Sequence, residues 1–216
     1  MKLIIFDMDG LMFDTEAVAY RAYCDRCQEW GLVSDQDFYL TMTGQDMRDT
    51  CAGYRRFYGQ DMKAEEFYHS VGERISEILD TEGMPIKPGL LPLLDAIEEA
   101  GIPKMIASSS DLPRIRKNLE QAGLSSRFES AVTCDDMERG KPFPDIFLAA
   151  CHKQQVDPKD ALVLEDSPAG ICAAEAAGIP VIGIPDVLPL SQEIQNKCVL
   201  VGETLLEVIP YIRKWQ

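Results

Sequence analysis

Ile4-Ile5-Phe6 is a short, unbroken apolar run that ends abruptly in Asp7-Met8-Asp9-Gly10. Such a run predicts a strand buried on both faces, as in a parallel sheet covered by helices. From about Thr15 to Asp80 the pattern changes, and apolar residues recur at helical spacing, as in Ala19, Tyr20, Tyr23 and Cys27 or Phe67, Val71, Ile75, Ile78 and Leu79. Ten of the seventeen aromatic residues fall in this stretch, which predicts a small helical bundle with an aromatic core. Glycine and proline from Gly83 to Gly89 mark a second change, after which strands and helices alternate as in βαβ units. Helices are expected over Leu90 to Ala100, about Pro113 to Ala122, Asp145 through Ala150, and about Ala169 to Gly178. Strands are expected at Lys104–Ala107, Ala131–Thr133, Ala161–Leu164 and Val181–Ile184, with a sixth at Cys198–Val201.

Three of these apolar strands end in chemistry-bearing residues: Asp7 and Asp9 after the first, Ser108, Ser109 and Ser110 after the second, and Glu165 and Asp166 after Ala161–Leu164. In open α/β sheets ligands bind beyond the carboxyl ends of the strands, so a parallel sheet brings all three sets to one edge. An Asp-x-Asp alone is an ordinary turn or helix cap, and a lysine in Gly140-Lys141-Pro142 is ordinarily just solvated. Their convergence is what gives them weight. A bundle inserted directly after the acidic strand end is expected to stand over it as a lid.

The chain has 216 residues, enough for one domain with an insertion, and a formal net charge of −15. That charge disfavours nucleic acid or an anionic membrane as a partner, and no stretch approaches the length of a membrane span. An anionic substrate would need a local island of metal and lysine. The seven cysteines, Cys24, Cys27, Cys51, Cys134, Cys151, Cys172 and Cys198, are odd in number and scattered, which suits reduced thiols in the cytoplasm. Cys24 and Cys27 have the spacing of a metal or redox pair but lie in a helical pattern without a second pair, and His69 and His152 are isolated. Met1-Lys2 leads straight into the first strand, so no secretory signal is expected. No heptad run asks for an obligate partner, so a monomer is the default.

Carboxylates crowded at one sheet edge repel one another unless a cation joins them. Oxygen ligands with room for water suit Mg²⁺, which takes one or two carboxylates together with substrate phosphate oxygens. A hydroxyl from Ser108, an ammonium from Lys141 and amides at helix starts would bind the remaining oxygens of a phosphoryl group. The constellation reads as phosphoryl transfer, in which one aspartate can act as nucleophile and a second can move the proton.

Asp7-Met8-Asp9-Gly10, Ser108, Lys141 and Glu165-Asp166 resemble, in order and spacing, the four motifs of the haloacid dehalogenase superfamily. Phe6 to Glu16, Gly140 to Asp145 and Leu164 to Gly170 are similar to its β-phosphoglucomutase-like phosphatase branch. The resemblance implies an α/β fold: a doubly wound, Rossmann-like parallel-sheet core over residues 1–14 and 83–216, with a helical cap over 15–82. It implies Asp7 as nucleophile, Asp9 as acid and base, and Ser108, Ser109 and Lys141 on the phosphate. Mg²⁺ would be held by the Asp7 carboxylate, the Asp9 backbone carbonyl and Asp166, with Glu165 bound directly or through water. Specificity is expected from Thr15, Glu16, Thr43, Gly44, Gln45, Arg48 and Ser110.

The expected reaction is hydrolysis of a small phosphorylated metabolite, such as a sugar phosphate. β-Phosphoglucomutases carry a histidine and a cap-loop lysine where this chain has Ala19 and Thr43, which weakens the alternative of a phosphosugar mutase. A non-catalytic binder of phosphometabolites has no need of Asp9 as a proton donor.

Overall fold

The computed structural model describes residues 1–43, 45–133, 135 and 137–214. By internal packing the chain divides into two units, Met1–Asp14 with Met84–Gln216, and Thr15–Gly83. Gly83, placed with the core on sequence grounds, instead closes the last helix of the second unit at φ 81°, a backbone region that glycine enters without steric cost.

In the first unit six strands among the described residues form one sheet: β1 Leu3–Phe6, β2 Lys104–Ser108, β3 Ala131–Thr133, β4 Ala161–Glu165, β5 Val181–Gly183 and β6 Leu200–Val201. All pairs are parallel and the order is β3-β2-β1-β4-β5-β6. The order reverses at β1, which is where an open sheet leaves a crevice beyond its carboxyl edge. Every residue of β1 is fully buried, as its unbroken apolar run requires. Leu3 and Ile5 join Met105, Ala107, Val163 and Val181 in a core that also takes in Phe147, on α7 (Asp145–Gln154), and Ile171, on α8 (Pro168–Ala176). Phe6 meets Phe128 edge-on, with ring centroids 5.6 Å apart.

The expected boundaries shift in ways that local chemistry explains. Helix α5 spans Leu90–Glu99, and α6 spans Leu112–Gln121 because the Asp111 side chain caps the Arg114 N–H at 2.8 Å. Helix α7 continues past Ala150 to Gln154, where Gln155 turns left-handed at φ 55°. The sixth strand is shorter than expected and begins at Leu200. A four-residue helix, α9 (Gln192–Gln195), and a terminal helix, α10 (Val208–Arg213), escaped the sequence pattern.

The second unit consists of α1 (Thr15–Glu29), α2 (Gln36–Leu40), α3 (Met47–Tyr58) and α4 (Ala64–Glu82). The aromatic stripe is its core: Phe67 is fully buried and meets Tyr23, Tyr54 and Trp30 edge-on at 6.3, 5.0 and 5.3 Å. The Tyr58 hydroxyl donates to the Val33 carbonyl at 2.8 Å and reaches the Tyr23 hydroxyl, so the buried phenols are not left without partners. Cys24 and Cys27 lie in α1 and are free thiols, as are the other described cysteines; Cys134 lies outside the described residues. No described helix is long and apolar enough to cross a membrane.

Phe67→Ala removes the ring that α1, α3 and α4 share and should destabilise the helical unit by about 3–5 kcal/mol. Urea denaturation followed by near-ultraviolet circular dichroism measures it. A loss below about 1 kcal/mol, the size of a tolerated core swap, would mean that the aromatic stripe is not what holds this unit.

Candidate active site

The first unit alone carries the acidic cluster, and strand register assembles it. Phe6 pairs with Leu164 on one side and Ile106 on the other, so Asp7 leaves the sheet level with Glu165 and Ala107. The Asp7 N–H donates to the Leu164 carbonyl at 3.0 Å, which carries the strand geometry one residue beyond β1. Ser108 ends β2 almost fully buried, and its hydroxyl oxygen accepts from the Ser110 N–H at 3.1 Å. Ser109, between them, is exposed.

Lys141 reaches this edge from the loop before α7. Its ammonium donates to Asp7 Oδ1, to Glu165 Oε1 at 2.7 Å and to the Ala107 carbonyl at 3.4 Å. Its side chain is 8% exposed, and those of Asp7 and Glu165 are 10% and 0% exposed. The solvated-turn reading of this lysine is therefore wrong. Burial acts against the lysine's charge, but Asp7 and Glu165 outweigh it and raise the ammonium's pKa.

The other oxygen of Glu165 accepts from the Ser167 N–H at 2.8 Å and the Ser167 hydroxyl at 3.0 Å. Ser167 in turn caps α8 through the Gly170 N–H at 3.0 Å. A Cβ at Gly170 would lie 1.6 Å from Glu165 Oε1, so only glycine leaves room for this carboxylate. Glu165-Asp166-Ser167-Pro168-Ala169-Gly170 is thus one device in which a strand end, a helix cap and a lysine anchor share residues. With both oxygens engaged, Glu165 holds Lys141 in place.

Asp9 is more open, its side chain 30% exposed. One oxygen accepts from the Ser110 hydroxyl at 2.8 Å and the other faces the Arg114 guanidinium at 3.3 Å. The sequence reading missed Arg114. The available signal was a basic residue in the first turn of α6, where the helix dipole disfavours positive charge. Gly10, at φ 85°, passes under Asp166, whose Oδ2 would be 2.3 Å from a Cβ there. Asp186, in the loop after β5, also comes near Gly10, its Oδ2 3.2 Å from the same Cβ position.

The remaining candidates, Thr15, Glu16, Thr43, Gln45 and Arg48, belong to the helical unit. Thr15 and Glu16 begin α1, and Glu16 accepts from the Tyr39 hydroxyl at 3.3 Å. The Gln45 amide donates to the Thr41 carbonyl at 2.8 Å, and Arg48 is exposed in the first turn of α3. Gly44 lies outside the described residues.

Residues 4–184 match the haloacid dehalogenase-like hydrolase family. The chain belongs to that family. YhcW of Bacillus subtilis, a phosphatase by name, is 33% identical over 192 residues, covering 86% of this chain and 84% of the relative. Hexitol phosphatase A of Escherichia coli is 30% identical over 183 residues, covering 85% and 82%. A crystal structure from Thermotoga maritima, named for β-phosphoglucomutase, superposes with a TM-score of 0.86 at 25% identity over the whole of both chains. The chain is therefore an enzyme of a hydrolase family whose named relatives include phosphatases.

The donor set of this haloacid dehalogenase-like site fits a hard divalent cation. Burial raises the Asp7 carboxyl to about 7, against Lys141, and Glu165 adds to the rise. Burial, then Glu165 and Asp7, raises Asp166 to about 9. No ion pair holds Asp166 among the described residues. Nor do three His, Cys, Asp or Glu side chains among them converge as a complete metal cage. Asp166 lies within electrostatic reach of Asp7, and carboxylates that fall short of a full cage would suit Mg²⁺, which keeps waters and substrate oxygens.

Both raised carboxyls make the metal-free protein sensitive to alkali. Between pH about 4 and 9 the folded state retains protons that unfolded aspartates have lost, so stability falls as pH rises through that window. The raised Lys141 contributes equally throughout it, because its contribution is lost only above the unfolded lysine pKa. The melting temperature in chelator should fall from pH 5 to pH 9, and fall less in Asp166→Asn. A melting temperature that rises over this range contradicts the arrangement.

Proposed function

We propose that the protein is a Mg²⁺-dependent phosphatase that hydrolyses a small phosphorylated metabolite through an aspartyl-phosphate on Asp7. The observation that carries this reading is the Lys141 ammonium, buried between Asp7 and Glu165 at the carboxyl edge of the sheet. A buried carboxylate in contact with a lysine is oriented and is kept available as a nucleophile. Mg²⁺, held by Asp7, Asp166 and the Asp9 carbonyl, would supply positive charge against the transferring phosphoryl group.

An Asp7 oxygen attacks phosphorus, the bond to the leaving oxygen breaks, and that oxygen takes a proton from Asp9. Asp9 then removes a proton from water, whose oxygen attacks the same phosphorus. The bond to Asp7 breaks and inorganic phosphate leaves. Ser110 and Arg114, one on each oxygen of Asp9, orient it for both transfers. Lys141, the Ser108 hydroxyl and the Ser109 amide would bind phosphoryl oxygens.

The substrate class follows the hexitol phosphatase relative: a phosphorylated sugar or polyol. The Thermotoga maritima likeness supports one second reading, a phosphosugar mutase. Ala19 and Thr43 stand against it, since a mutase must shield its phosphoenzyme from water.

A panel of sugar, polyol and nucleotide monophosphates with Mg²⁺ tests the proposal by phosphate release. Asp7→Asn should reduce release to background, and Asp9→Asn should lower kcat by about 10²–10⁴-fold. Turnover surviving in Asp7→Asn removes the covalent route. Isomerisation of β-glucose 1-phosphate without release would establish the mutase.

A further inference from the structure

Asp186, in the loop after β5, takes no part in the steps above, yet its side chain is only 8% exposed. One oxygen accepts from the Lys87 ammonium at 2.6 Å, and that ammonium also lies 3.9 Å from Asp14. The other oxygen, Oδ2, is buried and has no hydrogen-bond partner among the described residues. A carboxylate oxygen shut away from water without a donor is destabilising, and such an atom in a native fold points to a group that completes it.

Its direction shows what that group is. A Cβ at Gly10 would lie 3.2 Å from Asp186 Oδ2 and 2.3 Å from Asp166 Oδ2, so both oxygens face the same bare stretch of backbone. Two carboxyl groups brought this close need a proton or a cation between them. A cation with its hydration water can satisfy both, as ligand to one and as hydrogen-bond donor to the other. Because no three acidic side chains among the described residues converge directly on one ion, Asp186 belongs outside the coordination sphere. Outer carboxylates of this kind orient a cation's waters and tune its affinity.

We propose that Asp186 is an outer ligand of the divalent-cation site: its Oδ2 accepts a hydrogen bond from a water of the ion's hydration shell, and Lys87 fixes the carboxylate for that task. The inference rests on the reading of Asp166 as a metal ligand. It goes further by adding the loop after β5 and Lys87 to the machinery that sets Mg²⁺ affinity.

Calorimetric titration of the substrate-free protein with Mg²⁺ tests it without reference to turnover. Asp186→Asn keeps the shape and removes the charged acceptor, and should weaken Mg²⁺ binding by about 10–100-fold. Asp14→Asn removes a charge beside the same lysine that is not among the atoms nearest a Gly10 Cβ, and should change the affinity less than twofold. Equal losses in the two variants would reduce the effect to net charge and overturn the proposal, as would unchanged affinity in Asp186→Asn. Affinity that is unchanged in Asp186→Asn but lost in Asp166→Ala leaves the metal reading standing and removes only this inference. No Mg²⁺ binding by the unaltered protein overturns both. If Asp186→Asn fails to fold, a Mg²⁺-loaded crystal structure of the unaltered protein decides. A water joining the ion to Asp186 Oδ2 supports the proposal, and an Oδ2 still without that water contradicts it.

Discussion

The site depends on a single ammonium group held between two buried carboxylates. Removing one partner of a buried ion pair leaves an uncompensated charge and typically costs about 3–5 kcal/mol, whereas a complete pair roughly offsets its own desolvation. Lys141, Asp7 and Glu165 are therefore interdependent, and the surrounding sequence serves to keep them together. Gly170 leaves room for Glu165, Ser167 occupies its second oxygen, and the pairing of β1 with β4 sets Asp7 level with it. The same arrangement that prevents charge repulsion in the resting protein presents an oriented carboxylate oxygen at the edge of the sheet.

This local order resolves the difficulty of an acidic protein acting on an anion. With a formal net charge of −15, the molecule as a whole repels phosphate esters. At the sheet edge, however, Lys141 and Arg114 stand among the acids, and the amino-terminal ends of α6 and α8 follow strand ends that carry Ser108 and Glu165. Helix amino termini carry partial positive charge and free N–H groups, which favour anions. A divalent cation would complete the reversal of sign in a small region while the rest of the surface stays acidic.

Much of this was legible in the chain because it is written locally. An apolar run ending in a carboxylate marks both a buried strand and the edge where it stops, so β1, β2 and β4 and the residues that follow them could be placed in advance. The helical spacing of Tyr23 and Phe67 likewise announced an aromatic core. What was not legible is tertiary. Arg114 faces Asp9 across more than a hundred residues of chain, and Lys87 meets Asp186 across nearly as many. The need for glycine at position 170 appears only when the carboxylate of Glu165 folds back over it. Helix ends moved for capping reasons, as at Asp111, because a cap is decided by one side-chain geometry and hydrophobic spacing does not record it.

The central claim is that Asp7 becomes the phosphoryl acceptor because Lys141 and Glu165 hold it in place. Its most direct test is to quench the enzyme in acid during turnover of a hydrolysed phosphomonoester and to map the labile phosphoryl group by borohydride reduction and peptide mass spectrometry. The account predicts the reduced residue, homoserine, at position 7 alone, with none formed in Asp7→Asn. Steady turnover with no labelled position 7 after quenching, or a label on any other carboxylate, would contradict it.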